Sequence, residues 1–153
     1  MDEREAHRAF RALLLAHAYP GRAQPGPASR AEDALRMLEE AVWVDAPRPP
    51  LVIGTEDATP ILAAATRGTE LEPELGATVV RVVDGRGLRL RVVLEGPGVN
   101  GTCETSIPLT PGELAARDEA CASYPLGIDL VFVEADGRVA ALPRTARITP
   151  VGR

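Results

Sequence analysis

One stretch of the sequence stands out, YPLGIDLVF at residues 124–132. The run is apolar except for Asp129, and a second β-rich run at 139–142 follows a turn at Asp136-Gly137. Two such runs joined by a short turn predict a β-hairpin with strands at 127–133 and 139–142. Because hairpin strands are neighbours, we expect Asp129 to lie close to Arg144, which comes just after the second strand.

Asp129 is the strongest candidate for a functional side chain. An unpaired carboxylate inside an apolar strand costs several kcal/mol, so Asp129 must face a partner, water or the outside of the core. Two interpretations remain open. In the first, Asp129 and Arg144 form a structural ion pair. In the second, Arg144 holds a phosphate or phosphonate and Asp129 orients it.

The rest of the chain alternates between helix and strand patterns. Residues 77–83 and 88–94 are β-rich runs joined by Asp84-Gly85-Arg86-Gly87, and this spacing predicts a first hairpin. Capping boxes at Ser29/Glu32 and Thr110/Glu113 predict helices over 31–40 and 111–121. Further elements are predicted as helices at 4–18 and 61–67 and strands at 42–44, 51–53 and 103–107.

Together these patterns predict an α/β fold. The two hairpins make the sheet mixed, and we expect one mixed sheet with helices packed on both faces. In the first helix the spacing puts Phe10, Leu13, Leu14 and His17 on the apolar side. A length of 153 residues suits a single domain over 1–153.

The charged residues exclude several mechanisms. All 17 basic residues are arginines, so the chain has no lysine for a pyridoxal phosphate Schiff base or for a Walker phosphate loop. The arginines form no basic run, and the net charge is −5, so no nucleic-acid footprint is present. No apolar stretch reaches the roughly 20 residues of a membrane helix, and the acidic start lacks an export signal. We therefore expect a cytoplasmic protein with no membrane contact.

Metal and cofactor binding are not expected. Cys103 and Cys121 form no C-x-x-C pair, and His7 and His17 are ten residues apart on one helix, about 15 Å along its axis. The loop at 95–99 contains Gly96 and Gly98 and is a candidate for backbone binding of an anion, although a plain turn is the simpler interpretation.

Five stretches of the sequence resemble one family, the PhnH proteins of the phosphonate carbon–phosphorus lyase core complex. The most specific are YPLGIDLVF at 124–132 and ALPRT at 141–145, which contain Gly127, Asp129, Pro143 and Arg144. The others, in chain order, are HRAFRALL at 7–14 ending in YPG at 19–21, GT at 68–69 with PELGAT at 73–78, and LEGPGV at 94–99.

The resemblance implies an α/β/α sandwich similar to pyridoxal phosphate transferases but without that cofactor. It also implies a bacterial complex in which PhnH assembles with subunits G, I and J. This complex forms ribose 1-phosphonate 5-triphosphate from ATP and an alkylphosphonate. The resemblance further implies that the isolated protein pairs as a homodimer. The chain is shorter than the family norm around residues 43–51, which puts its mode of assembly in question.

Three functional hypotheses follow. The leading one is a non-catalytic or co-catalytic subunit that works through interfaces with subunits G, I and J. The second is a component that itself binds ATP or phosphonate through Asp129 and Arg144. The third is a solitary anion-binding domain that has lost the complex.

Overall fold

The strands of this protein form two separate sheets. The computed structural model describes residues 1–152, with four helices, seven strands and a short 3-10 turn at Pro73–Leu75. The helices are α1 (Glu3–Ala18), α2 (Ala31–Ala41), α3 (Thr59–Ala64) and α4 (Pro111–Ala120). The strands are β1 (Leu51–Ile53), β2 (Thr78–Val82), β3 (Leu90–Glu95), β4 (Thr102–Ile107), β5 (Asp129–Val133), β6 (Val139–Leu142) and β7 (Arg147–Pro150).

The larger sheet has four strands in the order β1-β2-β5-β6. Strand β2 runs parallel to both β1 and β5, and β5 pairs with β6 in antiparallel fashion. The C-terminal hairpin predicted from YPLGIDLVF is therefore confirmed, and the larger sheet is mixed. Thr78 of β2 lies in register with Asp129 of β5, which places Asp129 at the first position of its strand.

The first predicted hairpin is wrong. The two runs at 77–83 and 88–94 lie in different sheets, since β3 pairs antiparallel with β4 and β7 in a second sheet of order β4-β3-β7. The reason lies in β2, where three consecutive residues, Val79, Val80 and Arg81, are buried. Such two-sided burial is typical of an interior parallel strand, whose edges are both taken by neighbours.

A core cluster lies on each face of the larger sheet. On one face, Ala9 and Leu13 of α1 and Leu38 of α2 pack with Val131 and Ala141. On the other, helices α3 and α4 and the second sheet share a core with the alternate side chains Ile128, Leu130 and Phe132. The expected mixed α/β architecture is confirmed, whereas the single predicted sheet is corrected to two.

Helix α1 buries Leu13 as predicted, but Phe10 and Leu14 lie outside its buried face. Ala9, Ala12, Leu13 and Ala16 are buried, while Phe10 and Leu14 are 53% and 55% exposed. Small alanine side chains let α1 approach the sheet closely, and this packing outweighs the larger hydrophobic residues. Two helices begin with a capping box. Asp2 and Glu5 form the one at α1, and Thr110 and Glu113 form the predicted one at α4.

Several local predictions need correction. The segment at 42–44 forms turns instead of a strand, and helix α2 begins at an Arg30 cap that makes no side-chain bond, so the Ser29 box does not form. Helix α3 starts two residues earlier than predicted, after Ala58, and ends at Ala64. The predicted strands β1 and β4 are present, but β1 is an edge strand with two exposed residues. Strand β7 is an element that the sequence patterns do not predict.

Among the described residues, no helix has both the length and the hydropathy that crossing a bilayer requires.

Candidate functional site

Asp129 and Arg144 lie together, as the sequence predicts. The backbone N–H of Arg144 donates to Asp129 Oδ1 at 2.7 Å, and its Nη2 donates to Oδ2 at 3.0 Å. A third bond runs from Arg144 Nε to Oδ1 at 3.3 Å. The Arg144 and Asp129 side chains are only 14% and 22% exposed, so the pair is sheltered from solvent. The β5–β6 hairpin creates this arrangement because it brings the chain after β6 beside the first residue of β5.

Arg144 also binds two backbone carbonyls. Its Nη1 donates to Pro73 O at 2.7 Å and to Pro125 O at 3.2 Å. We call this set, Arg144 with Asp129, Pro73 and Pro125, the Arg144 clamp. A guanidinium has five N–H donors, and four of them are used here, which leaves one on Nη2. The clamp thus ties three separate segments of chain to the end of the larger sheet.

Position 127, next to the clamp, requires glycine for two reasons, its backbone conformation and its close neighbours. Its φ is +152°, and an added Cβ would lie 3.0 Å from Cys121 Sγ and 3.1 Å from Arg144 Cβ. Its N–H donates to Arg67 O at 2.9 Å. Only glycine fits such a position without strain.

Pro143, the remaining residue of the family motif, contributes its carbonyl. This oxygen accepts bonds from Arg117 Nη2 at 2.7 Å and from the Ala146 N–H at 3.0 Å. It therefore fixes the turn that follows β6, next to the clamp.

A cleft of about 640 Å³ opens beside the clamp. The predicted glycine loop borders it, since Pro97 is among the lining residues and Gly96 lies against the Thr145 carbonyl. Gly98, with φ of +85°, packs directly on the Ala18 carbonyl at the end of α1. We call this space the clamp cleft; its charged lining residues are Arg117, Asp118, Arg144 and Arg147.

Each arginine of the clamp cleft already has a carboxylate partner. Arg144 pairs with Asp129, Arg117 Nη1 lies 3.1 Å from Asp118 Oδ1, and Arg147 Nη1 lies 3.7 Å from Glu95 Oε2. Helix α4 also ends here, because its C-cap Cys121 lines the cleft. The C-terminus of a helix carries a partial negative charge and disfavours anions. The arrangement is therefore better suited to holding chain segments together than to capturing a free anion.

A second charged cluster was missed in the sequence. Arg81 of β2 donates to Glu113 Oε1 at 2.7 Å, and both side chains are buried. Glu113 also accepts the N–H groups of Ala58 and Thr110, at 3.0 and 3.1 Å. The one signal was an arginine in the middle of the β-rich run at 77–83. In a hairpin strand with one open face, such an arginine can point to solvent. The predicted hairpin therefore gave no reason to expect a buried partner for Arg81.

Two exposed carboxyls have a perturbed pKa. The Thr59 hydroxyl, and then the Thr59 backbone N–H, lower the pKa of Asp57, and the charge of Arg81 adds to the effect. The backbone N–H of Arg138 is the main cause that lowers the pKa of Asp136. Neither group lines the clamp cleft. Within residues 1–152, no group of three His, Cys, Asp or Glu side chains is placed to ligate a metal.

Comparison with known proteins assigns this chain to a family. Residues 26–149 match a family model described as bacterial phosphonate metabolism protein (PhnH). The chain belongs to the PhnH family. The match includes the whole clamp and all seven strands except the last residue of β7. The family resemblance carried by YPLGIDLVF and ALPRT is confirmed.

A named relative supports the PhnH assignment. It is a putative C-P lyase subunit protein, HtxG, from Stutzerimonas stutzeri, and is 36% identical to this chain. The alignment covers 94% of this chain and 86% of the relative. Its 171 positions exceed the 153 residues of this chain, so the relative carries inserted residues. That agrees with the expectation of a shortened PhnH chain.

Proposed function

We propose that this PhnH-family protein is a subunit of the bacterial carbon–phosphorus lyase system that acts mainly through assembly with other subunits. Family membership carries the proposal, and the relative named as a C-P lyase subunit agrees with it. The partners we propose are subunits G, I and J, together with a second copy of the chain when those subunits are absent. The protein then contributes to forming ribose 1-phosphonate 5-triphosphate from ATP and an alkylphosphonate without supplying the reacting groups.

The clamp geometry favours this role over direct ligand binding. Four of the five Arg144 N–H donors are taken by Asp129 and by the carbonyls of Pro73 and Pro125. A phosphate ligand would have to displace these bonds, and each bond to a charged group contributes about 1.5–3 kcal/mol. Arg144 therefore acts as a structural residue that keeps the surface loops in place for docking.

Co-purification tests the proposal. Tagged wild-type protein is co-expressed with subunits G, I and J of the same bacterium and recovered on affinity resin. We expect the three subunits to be recovered with it, and titration calorimetry of the isolated protein with ATP and with methylphosphonate to give no heat. Failure of the subunits to co-purify would contradict the assembly role and favour the solitary anion-binding domain.

A second candidate function is direct nucleotide or phosphonate binding, and the clamp cleft is the observation in its favour. Its volume of about 640 Å³ suits a small ligand, and Arg147 reaches it with a side chain that is 79% exposed. Heat on adding ATP that Arg147→Gln abolishes would support this function. The matched control is Arg91→Gln, since Arg91 is an exposed, carboxylate-paired arginine that does not line the cleft.

The single domain over 1–153, the likeness to pyridoxal phosphate transferases and the cytoplasmic location remain part of the proposal. Two core clusters on opposite faces of one sheet support a single folding unit.

A further inference from the structure

The outward face of α1 carries an apolar pair beside a row of arginines. Phe10 and Leu14 are one turn apart and more than half exposed. Arg4, Arg8 and Arg11 are also exposed and follow the same four- and three-residue spacing, so they form a neighbouring strip along the helix. The opposite side of α1 is buried on the larger sheet. We call these five residues the α1 face.

The arginines of the α1 face are unpaired in the described structure. Within residues 1–152, none of the three forms a salt bridge, whereas nine other arginines of the chain do. Arg8 and Arg11 also border a groove of about 440 Å³ between α1 and the segment at 24–26. Glu3 and Glu5 offset part of this charge in the first turn, so the positive excess of α1 lies at Arg8 and Arg11, in a chain of net charge −5.

We propose that the α1 face is a docking surface for an acidic segment of a partner subunit, one that also carries an apolar side chain. Charge complementarity identifies the occupant: the arginines require carboxylates, and the Phe10 and Leu14 pair provides the apolar centre that binding surfaces place inside a polar rim. The groove beside Arg8 and Arg11 gives room for an extended segment. This inference rests on the proposed function as a complex subunit and deepens it by naming the surface and the chemistry of the partner.

The test uses the full chain co-expressed with subunits G, I and J. Two variants alter the α1 face: Phe10→Ala with Leu14→Ala, and Arg4→Gln with Arg8→Gln and Arg11→Gln. The matched control, Arg86→Gln with Leu88→Ala, removes an unpaired arginine and an exposed leucine from the loop after β2. Since all altered side chains are exposed, thermal unfolding should be unchanged and the variants should fold.

We expect wild type and control to retain the subunits, and both α1 variants to retain less by a factor of about ten. Wild-type retention should also fall as salt is raised, because the arginine contribution is screened. Equal retention by all four proteins would overturn the inference and leave the proposed function standing. If retention falls only in the Phe10→Ala/Leu14→Ala variant, the partner segment is not acidic and the inference is wrong on that point. If wild type itself retains nothing, the proposed function fails and this inference fails with it.

A second copy of this chain is the competing occupant. The loop at 69–72 places Leu71, 93% exposed, between Glu70 and Glu72, and so carries the same acidic and apolar chemistry. Light scattering of the isolated protein separates the two cases. A dimer that becomes monomeric both in the apolar α1 variant and in Leu71→Ala would assign the face to self-association and overturn the inference. A mass that does not change between wild type and these variants supports it.

Discussion

The two ends of the β2–β5 strand pair are each held by an arginine and a carboxylate, and the two pairs differ in burial. At one end Arg81 and Glu113 are buried, with exposed side-chain fractions of 9% and 0%, and Arg81 Nε has no hydrogen-bond partner in the described structure. At the other, Arg144 and Asp129 lie nearer the surface, but Arg144 makes five bonds to its surroundings through its backbone and side chain.

Burial determines what the loss of each pair costs. A buried pair gains little over apolar packing, yet breaking it is costly because one charge is then stranded without solvent. Arg81 also joins several chain segments, because it donates to Pro108 O at 3.2 Å and to Glu56 O at 3.3 Å as well as to Glu113. The two pairs therefore differ mainly in burial. If burial dominates, loss of Glu113 destabilises the protein more than loss of Asp129 does.

The largest effect is expected for Glu113→Ala. This change leaves the buried Arg81 charge with only the Pro108 and Glu56 carbonyls and removes the acceptor of the Ala58 and Thr110 N–H groups. The free energy of unfolding should therefore fall by about 3–5 kcal/mol, measured by urea denaturation. Glu113→Gln keeps an acceptor oxygen and should lose less. The control is Glu104→Ala, which breaks an exposed pair and should cost under about 1 kcal/mol. Equal losses of unfolding free energy for Glu113→Ala and Glu104→Ala would show that burial does not determine the cost of breaking a charge pair.

A smaller loss is expected for Asp129→Ala. The clamp loses three bonds, but Arg144 keeps the Pro73 and Pro125 carbonyls and partial access to water, so we expect the free energy of unfolding to fall by about 2–3 kcal/mol. Asp129→Asn, with one acceptor oxygen retained, should be intermediate. Asp136→Ala, at an exposed pair, is the control. An unchanged melting temperature together with loss of phosphonate breakdown in the bacterium would instead give Asp129 a direct functional role.

The packing around the clamp gives a third test. Gly76→Ala would place a Cβ against the Gly127 carbonyl and 2.8 Å from both Nη atoms of Arg144. The Gly127 backbone carbonyl and the guanidinium must then both shift, and we expect a loss of about 1–3 kcal/mol in unfolding free energy. Gly54→Ala is the matched control, because a Cβ there meets nothing within 4 Å. A loss no larger for Gly76 than for Gly54 would show that the Gly127 backbone and Arg144 both move at little cost.

The smallest effect concerns Asp57, on the rim of the Arg81–Glu113 pair. Its lowered pKa adds stability that is fully present above the unfolded pKa of about 3.9 and is lost as pH falls through the folded pKa. Thr59→Ala removes the hydroxyl donor, so the pKa of Asp57 should rise towards its ordinary value in an NMR titration. The pKa of Asp136 should not move. A pKa of Asp57 unaffected by Thr59→Ala would assign the shift to Arg81 and the backbone.

The difference between the two ends also explains what was predictable from sequence. The Asp129–Arg144 contact follows from local rules, because a turn at Asp136-Gly137 makes neighbours of the two strands on either side of it. The Arg81–Glu113 contact joins residues 32 positions apart in different elements. It depends on β2 lying between β1 and β5, and β2 has no local feature that distinguishes it from a hairpin strand.

The outcome for α1 has the same cause. Periodicity predicts the helix and its length closely, but it assigns Phe10 and Leu14 to the core because of their hydrophobicity. The structure buries Ala9, Ala12 and Ala16 instead, since close approach to β6 is possible only for small side chains.

From its sequence alone, this protein has a defined C-terminal hairpin, an acid and a guanidinium brought together by it, and the motifs of the PhnH family. These are set by short-range turn chemistry and by residue identity at fixed spacing. Tertiary structure alone decided the division of strands into two sheets, the buried Arg81–Glu113 pair and the exposed α1 face. Each of these depends on which distant segments pack against a given strand edge or helix face. That choice is set by the free energy of the whole packed chain and not by local sequence.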